Sequence, residues 1–143
     1  MALALAPPAA AGKLPIAGPD VITGKRVALA QFRGKPVFVN VWGSWCFGCT
    51  AEARTLARFA RAHERQVAFL GIDTGDSRAE GRAFYRRFDV PYPSIWDPRR
   101  LLAGDWVRGA PTTLVFDRRH VLVRRIEGTA TIAQLNTALK RVT

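Results

Sequence analysis

The sequence predicts an α/β protein of one domain, in which helices cover a β-sheet. Two units in which an apolar strand is followed by a helix occupy residues 37–62 and 66–88. Two further strands and an amphipathic helix follow them, between residues 114 and 142. A chain of 143 residues is long enough to bury about two thirds of the surface that it exposes when unfolded. We therefore expect no second domain.

The N-terminal residues 1–15 are predicted to form a flexible segment in front of a domain at residues 16–143. Residues 1–12 are low in complexity and contain no basic residue, and Pro7-Pro8 interrupts their short apolar run. Such a run is too short to span a bilayer. The segment is either the end of a signal peptide or membrane anchor, or a flexible Ala/Pro linker.

The domain is predicted to begin with two short strands between residues 16 and 29, joined at a turn that contains Gly24. Residues 31–36 are expected to turn the chain into the first buried strand. That strand, at residues 37–41, consists mainly of β-branched and aromatic residues. This composition is typical of a strand that is buried on both faces. Helix-forming residues follow from residue 51 to residue 62.

The later elements are predicted from apolar patterns of the same kind. The final helix is amphipathic and is expected to cover the sheet, because its apolar side chains recur at helical spacing. His120 lies in the turn between the last two strands and is expected to be solvated. The predicted elements are a buried strand at 66–73, a helix at 78–88, an extended segment at 90–98, a helical turn at 101–107, strands at 114–117 and 121–127, and a helix at 130–142.

Both cysteines of the chain, Cys46 and Cys49, lie between the first buried strand and its helix. A thiolate attacks a disulfide, and a free cysteine with a pKa of about 8.5 is only partly ionised at neutral pH. A helix N-terminus stabilises the anion, and Cys-x-x-Cys motifs placed there have thiol pKa values of roughly 3.5 to 7.5. Cys46 is the predicted nucleophile. Cys49 lies one turn further on the same side, so we assign it as the resolving cysteine.

Other uses of the two cysteines fit the sequence less well. A structural zinc ion needs four ligands, and only His63 and His120 are left to complete a set. A c-type haem site requires a histidine directly after the second cysteine, where this chain has Thr50. We therefore expect no metal and no cofactor other than the redox-active pair of Cys46 and Cys49.

The chain is strongly basic, with a net charge of +11 from 22 Lys and Arg residues against 11 Asp and Glu residues. Such a charge attracts nucleic acids, anionic lipids or acidic partners. The basic residues are spread along the whole chain, without an aromatic-interleaved basic motif or a helix-turn-helix pattern. Nucleic acid is therefore not an expected partner.

The residues around the cysteines carry a family resemblance. The stretch Trp42–Glu52, together with Gly34–Asn40 before it, resembles the active site of extracytoplasmic thioredoxin-like proteins of the TlpA, ResA and CcmG (DsbE) type. The resemblance extends from about residue 16 to the C-terminus. It implies the thioredoxin fold, a central mixed β-sheet flanked by helices, with an N-terminal β-hairpin and a central αβ insertion. Asn40 agrees with the TlpA-like branch, whereas Phe47-Gly48 between the cysteines leaves the redox potential open.

The resemblance also implies a surface that binds the substrate. Trp45 and Phe47 would contribute to it beside the cysteines. Pro111 would follow a cis peptide bond and pack against the disulfide, and the backbone of Ala110 would present its N–H and C=O groups to a substrate strand. Without the resemblance, Pro111 would be taken as an ordinary proline at the start of a strand.

Glu52 follows Cys49 by three residues and therefore projects from the same side of the helix. A carboxylate there would raise the pKa of Cys49 and would itself take up a proton when the disulfide is reduced. The resemblance implies the same role in proton handling. The alternative is a surface glutamate that is favourable in the first turns of a helix.

The sequence predicts a thiol-disulfide oxidoreductase that acts on protein substrates. We expect the protein to be a monomer. The resemblance implies an extracytoplasmic location, with a membrane tether formed by a segment outside this chain. It also implies a membrane or soluble electron donor or acceptor and a reductant role, as in keeping the cysteines of apocytochrome c reduced. Two alternatives remain: a thiol peroxidase of the peroxiredoxin or glutathione-peroxidase type, and a copper-binding dithiol module, although no Met or nearby His assists the pair.

Overall fold

The computed structural model describes residues 13–143 of the chain. Residues 1–12 of the predicted flexible segment 1–15 lie outside the described residues, and residues 13–15 lie within them. Two of these residues, Lys13 and Leu14, contact a short helix at Leu101–Trp106. The Lys13 ammonium group donates a hydrogen bond to the carbonyl oxygen of Asp105 (2.5 Å), and the indole N–H of Trp106 donates to the carbonyl oxygen of Leu14 (2.9 Å).

The described chain forms seven strands and four α-helices, in the order predicted from the sequence. The helix after the cysteines begins at Phe47, so the cysteine pair opens it. The elements are β1 (Ala17–Pro19), β2 (Arg26–Ala28), a 3-10 helix (Leu29–Phe32), β3 (Val37–Trp42), α1 (Phe47–Ala62), β4 (Ala68–Thr74), α2 (Arg78–Phe88), β5 (Ser94–Asp97), α3 (Leu101–Trp106), β6 (Thr112–Phe116), β7 (Leu122–Glu127) and α4 (Ile132–Val142).

The main sheet is mixed, with the strand order β5-β4-β3-β6-β7. Strands β3, β4 and β5 are parallel, whereas β6 is antiparallel to both β3 and β7. All six residues of the central strand β3 are buried, which explains its continuous apolar run. This arrangement confirms the predicted fold. The hairpin β1–β2 precedes the sheet, and the inserted unit α2–β5 extends it at the edge beyond β4.

The side chains of β3 alternate between two hydrophobic clusters because successive residues of a strand point to opposite faces. Val37, Val39 and Val41 face a cluster that includes the N-terminal hairpin and α3. Phe38 faces a cluster under α1 and α4. By the same alternation Asn40 lies on the Phe38 side, under α1. The polar residue of the central strand is therefore placed beneath the helix that carries the cysteines.

The expectation that His120 is solvated is wrong. Its Nε2 atom lies 3.0 Å from the carbonyl oxygen of Phe32 and 3.1 Å from that of Lys35, and the residue is half-buried. The turn between β6 and β7 folds back onto the end of the 3-10 helix. The imidazole can donate one hydrogen bond there to a backbone carbonyl oxygen.

Candidate active site

Cys46 is the N-cap residue of α1, with an extended backbone (φ −93°, ψ 115°). Its Sγ atom accepts a hydrogen bond from the backbone N–H of Cys49 (3.2 Å). The two cysteines form a disulfide, and their Cα atoms are 5.2 Å apart. Cys46 is 6% exposed and Cys49 is 1% exposed. A thiolate at Cys46 would therefore have the unpaired N–H groups of the first helical turn beside it, which stabilise a negative charge.

Two exposed aromatic residues flank Cys46 in the chain. Trp45 is 48% exposed, and its indole N–H donates a hydrogen bond to the carbonyl oxygen of Thr74 (2.8 Å). Phe47 is 91% exposed, although it is a large apolar residue. Exposed aromatic side chains next to a reactive group are typical of a surface that binds another molecule.

The loop before β6 lies against the first turn of α1. The Ala110–Pro111 peptide bond is cis, as the resemblance implies. A Cβ atom added to Gly48 would lie 3.1 Å from Cδ of Pro111, so this proline is in contact with the backbone between the two cysteines. Ala110 packs against the apolar cluster that contains both cysteines. The structure thus brings Trp45, Phe47, Ala110 and Pro111 to the surroundings of the cysteine pair.

The inserted helix α2 covers the buried side of the cysteine pair. Trp42, at the end of β3, stacks on Phe84 (4.4 Å between ring centroids) and on Tyr85 (5.4 Å). These rings and Phe88 form one buried cluster with Cys46 and Cys49. The apolar packing fixes the position of the disulfide.

Glu52 is 1% exposed, which excludes the surface position that the sequence left open. Its Oε1 accepts a hydrogen bond from Nδ2 of Asn40 (3.0 Å), and its Oε2 accepts one from the backbone N–H of Ala130 (2.7 Å). Burial raises the pKa of Glu52 to about 6, although both hydrogen bonds act to lower it. A carboxyl group with this pKa exchanges its proton near neutral pH.

The space between Asn40 and Cys49 contains a cavity of about 10 Å³. This volume is about the minimum that holds one water molecule. Both Asn40 and Cys49 line this cavity, and Asn40 donates a hydrogen bond to Glu52. Asn40 thus links the Glu52 carboxyl group to the cavity that adjoins the inner sulfur.

Two partners of this buried network were missed by the sequence analysis. Nδ2 of Asn40 also donates to Oγ1 of Thr113 (3.2 Å), which faces it across the β3–β6 pair. The strand alternation places both residues on one face, so pairing of β3 with β6 was the signal that could have found Thr113. Ala130 contributes only a backbone N–H, which no residue type reveals.

Asp73 is a buried acid that sequence reasoning missed. The residue is 0% exposed, and neither carboxylate oxygen has a hydrogen-bond partner among the described residues. Burial, and then the neighbouring carboxylate of Asp76, raise the pKa of Asp73 to about 9. Asp73 is therefore protonated at neutral pH. It lies behind α2 rather than at the cysteines, since a Cβ atom at Gly81 would lie 2.0 Å from its Oδ2.

Within residues 13–143 no group of three or more His, Cys, Asp or Glu side chains is arranged to hold a metal ion. Over the same residues, every helix is too short or too polar to cross a membrane.

Comparisons with known proteins identify the class that this fold and site define, the thiol-disulfide oxidoreductases with the thioredoxin fold. The chain belongs to the AhpC/TSA family, whose profile matches residues 9–125. These matches confirm the resemblance to ResA and DsbE.

Three similar proteins illustrate the relationship. The thiol-disulfide oxidoreductase ResA of Bacillus subtilis (strain 168) is 30% identical over 115 residues, which cover 79% of this chain and 64% of that protein. The thiol:disulfide interchange protein DsbE of Pseudomonas aeruginosa is 36% identical over 106 residues, or 73% of this chain and 57% of that protein. The crystal structure of a secreted thiol-disulfide isomerase from Corynebacterium glutamicum has a TM-score of 0.82 at 28% identity and covers 91% of this chain and 84% of that chain.

Proposed function

We propose that this oxidoreductase exchanges disulfides with protein substrates, with Cys46 as the nucleophile and Cys49 as the resolving cysteine. In the reducing direction, the Cys46 thiolate attacks one sulfur of a substrate disulfide and expels the other as a thiolate. Cys49, as a thiolate, then attacks Sγ of Cys46 and releases the second substrate thiol, which leaves the Cys46–Cys49 disulfide. Two electrons pass from the protein to the substrate. The same steps in reverse oxidise a dithiol substrate.

The position of Cys46 at the N-cap of α1 carries this proposal. Its sulfur accepts the backbone N–H of Cys49, so a negative charge on it is stabilised by a hydrogen bond as well as by the helix dipole. Cys46 is also the more exposed of the two cysteines, whereas Cys49 is enclosed by apolar side chains. The sulfur of Cys46 is therefore suited to attack a substrate disulfide, and the enclosed sulfur of Cys49 is suited to attack Cys46 afterwards.

Glu52 supplies and accepts the proton of Cys49 in this proposal. Cys49 has to lose a proton before it attacks, and a buried thiolate next to a carboxylate is unfavourable. A Glu52 carboxylate takes up that proton. Its pKa of about 6 makes the transfer possible in either direction near neutral pH. Once Cys49 has attacked and the Cys46–Cys49 disulfide has formed, Glu52 passes the proton on to solvent or to the substrate thiolate that leaves.

The substrate surface in this proposal consists of Trp45, Phe47, Ala110 and Pro111. The two aromatic side chains offer apolar contact area beside Cys46, and Ala110 lies in the loop that contacts the motif. An extended substrate segment that carries the target cysteine would lie along this loop with its backbone hydrogen-bonded to Ala110. No cofactor other than the cysteine pair takes part.

The cellular role that we propose is extracytoplasmic and reductive. The resemblance to ResA and DsbE supports it, as does the similarity to the secreted isomerase of C. glutamicum. Proteins with disulfides or thiols, apocytochrome c among them, would be the substrates of a monomer that receives electrons from a membrane-bound or soluble donor. A tether would lie outside the described residues.

A trapping experiment tests the proposed roles of the cysteines. In Cys49→Ser, the mixed disulfide on Cys46 has no resolving thiol, so a covalent complex with substrate proteins should accumulate in an extract of oxidised proteins. Cys46→Ser is the matched control and should remain nearly free of complexes. Equal trapping by the two variants would contradict the assignment of the nucleophile.

Three measurements separate this function from its alternatives. A titration of the reduced protein by thiolate absorbance should give a Cys46 pKa clearly below the value of about 8.5 of a free cysteine. Rapid consumption of peroxide with Cys46 trapped as a sulfenic acid would identify a thiol peroxidase instead. Stoichiometric binding of Cu(I) without any disulfide exchange would identify a copper-binding module.

A further inference from the structure

The exposed side chain of Arg100 packs on the tryptophan next to Cys46. Cζ of the Arg100 guanidinium group lies 4.6 Å from the centroid of the Trp45 ring, well within the range of a cation–π contact. Trp45 directly precedes the nucleophile and is half exposed. A fixed positive charge therefore lies on the aromatic surface that a substrate has to approach.

Two glycines make room for this pair of side chains. Gly75 has a positive φ of 75°, and a Cβ atom there would lie 2.7 Å from Nε of Arg100. A Cβ atom at Gly43 would lie 2.2 Å from Nε1 of Trp45. The indole N–H of Trp45 is held by the carbonyl oxygen of Thr74, which fixes the ring under the guanidinium group. A side chain at Gly43 or at Gly75 would therefore displace one member of the Arg100–Trp45 pair.

The backbone of Arg100 itself is also in an uncommon conformation. Its φ of 61° and ψ of 19° place it in the left-handed region, which residues other than glycine seldom occupy. Its N–H donates to the carbonyl oxygen of Asp97 (3.2 Å), and this turn directs the chain into α3. The Arg100 side chain leaves this turn beside Trp45.

The charge of Arg100 has no carboxylate partner within residues 13–143, where the one ion pair joins Arg61 to Asp89. The buried acids of the adjoining segments are engaged elsewhere. Asp76 accepts hydrogen bonds from the backbone N–H and the hydroxyl group of Ser44. Asp97 accepts three, from two backbone N–H groups of α3 and from the hydroxyl group of Thr74. The N–H donors of the guanidinium group remain available to a ligand.

We propose that Arg100 is a specificity-determining residue that favours substrates with an acidic side chain beside the reacting cysteine. The inference rests on the proposed disulfide exchange at Cys46 and names the class of substrate. A peptide whose cysteine reaches Cys46 passes over Trp45, so its neighbouring side chain meets the guanidinium group. A carboxylate there forms charge-assisted hydrogen bonds with the planar donor group. A lysine at the same position meets a like charge.

The test compares three peptides that differ only in the residue next to their single cysteine, which is Glu, Gln or Lys. Each cysteine carries a neutral thiopyridyl group, and release of that group by the reduced protein gives the second-order rate constant. The Glu peptide should react about three- to fivefold faster than the Gln peptide, as an exposed charge pair allows, and the Lys peptide correspondingly slower. The rate constants of two peptides are divided for the same protein, so any effect of a substitution on the reactivity of the Cys46 thiolate cancels.

Arg100→Gln should bring the ratios close to one, and Arg100→Lys should retain part of the preference because it keeps the charge without the planar fork. Arg99→Gln is the matched control, since Arg99 is the neighbouring exposed arginine, and it should retain the preference in full. Equal rates with all three peptides on the unaltered protein would overturn this inference and leave the exchange reaction standing. An equal loss of preference in Arg99→Gln and Arg100→Gln would also overturn it. Failure of all three peptides to react would overturn the proposed function itself.

Discussion

Replacement of Glu52 by glutamine should change how the stability of the oxidised protein depends on pH. The pKa of Glu52 is raised by burial from 4.5 to about 6 in the folded protein. The folded state therefore holds the proton more tightly than the unfolded state. This contribution to the free energy of unfolding is complete below pH 4.5 and is lost as the pH rises through about 6. The loss amounts to about 2 kcal/mol, since one pKa unit corresponds to about 1.4 kcal/mol.

Glu52→Gln removes this pH dependence and adds a constant cost. Both carboxylate oxygens accept a hydrogen bond, one from Asn40 and one from Ala130, whereas the glutamine side chain has a single oxygen. One donor loses its partner, at a cost of about 1–3 kcal/mol at every pH. The variant should therefore be less stable than the unaltered protein at pH 4. The deficit should shrink by about 2 kcal/mol between pH 4 and pH 7.

Urea unfolding of the oxidised protein at several pH values between 4 and 7 measures this difference. The other titrating groups are common to both proteins, so their effects cancel when the two curves are subtracted. Glu64→Gln is the matched control, because Glu64 is exposed at the end of the same helix, and its stability should follow the unaltered protein throughout. Parallel curves for Glu52→Gln and the unaltered protein would show that burial does not raise the pKa of Glu52, and would refute the reasoning.

Three further predictions concern other residues. The unaltered protein should lose about 4 kcal/mol of stability as the pH rises from 4 to 7, because the pKa of Asp73 is about 9 in the folded state. Asp73→Asn removes this loss, so the variant should gain about 4 kcal/mol relative to the unaltered protein over that range. Urea unfolding at several pH values measures the difference. Gly81→Ala should lower the melting temperature because the added methyl group overlaps the Asp73 carboxylate, whereas Gly104→Ala, in a helix with open space around it, should not lower it. Phe47→Ser should leave the free energy of unfolding within about 0.5 kcal/mol, because the side chain is 91% exposed, and should slow exchange with protein substrates in a stopped-flow assay.

The local order of elements and the position of the cysteine pair were predictable because they depend on neighbours in the chain. The β-branched run of β3 and the helix formers of α1 favour their own conformations, and they place Cys46 and Cys49 at the junction whatever the rest of the chain does. The bounds of α2 agree for the same reason, since Ser77 and Glu80 form a capping box at its start. The resemblance added the cis peptide bond before Pro111, which base rates alone would not predict.

The sequence by itself therefore determined the fold class and the place of a cysteine pair at the start of a helix, since both follow from local patterns and from motif spacing. Only the tertiary structure decided the surroundings of that pair. Glu52 is buried because Asn40 and Ala130, distant in the chain, converge on its carboxyl group, and Arg100 reaches Trp45 because two glycines leave space between separate segments. Burial and contact between distant residues depend on how the elements pack, and so do the pKa of the buried acid and the charge beside the active-site tryptophan.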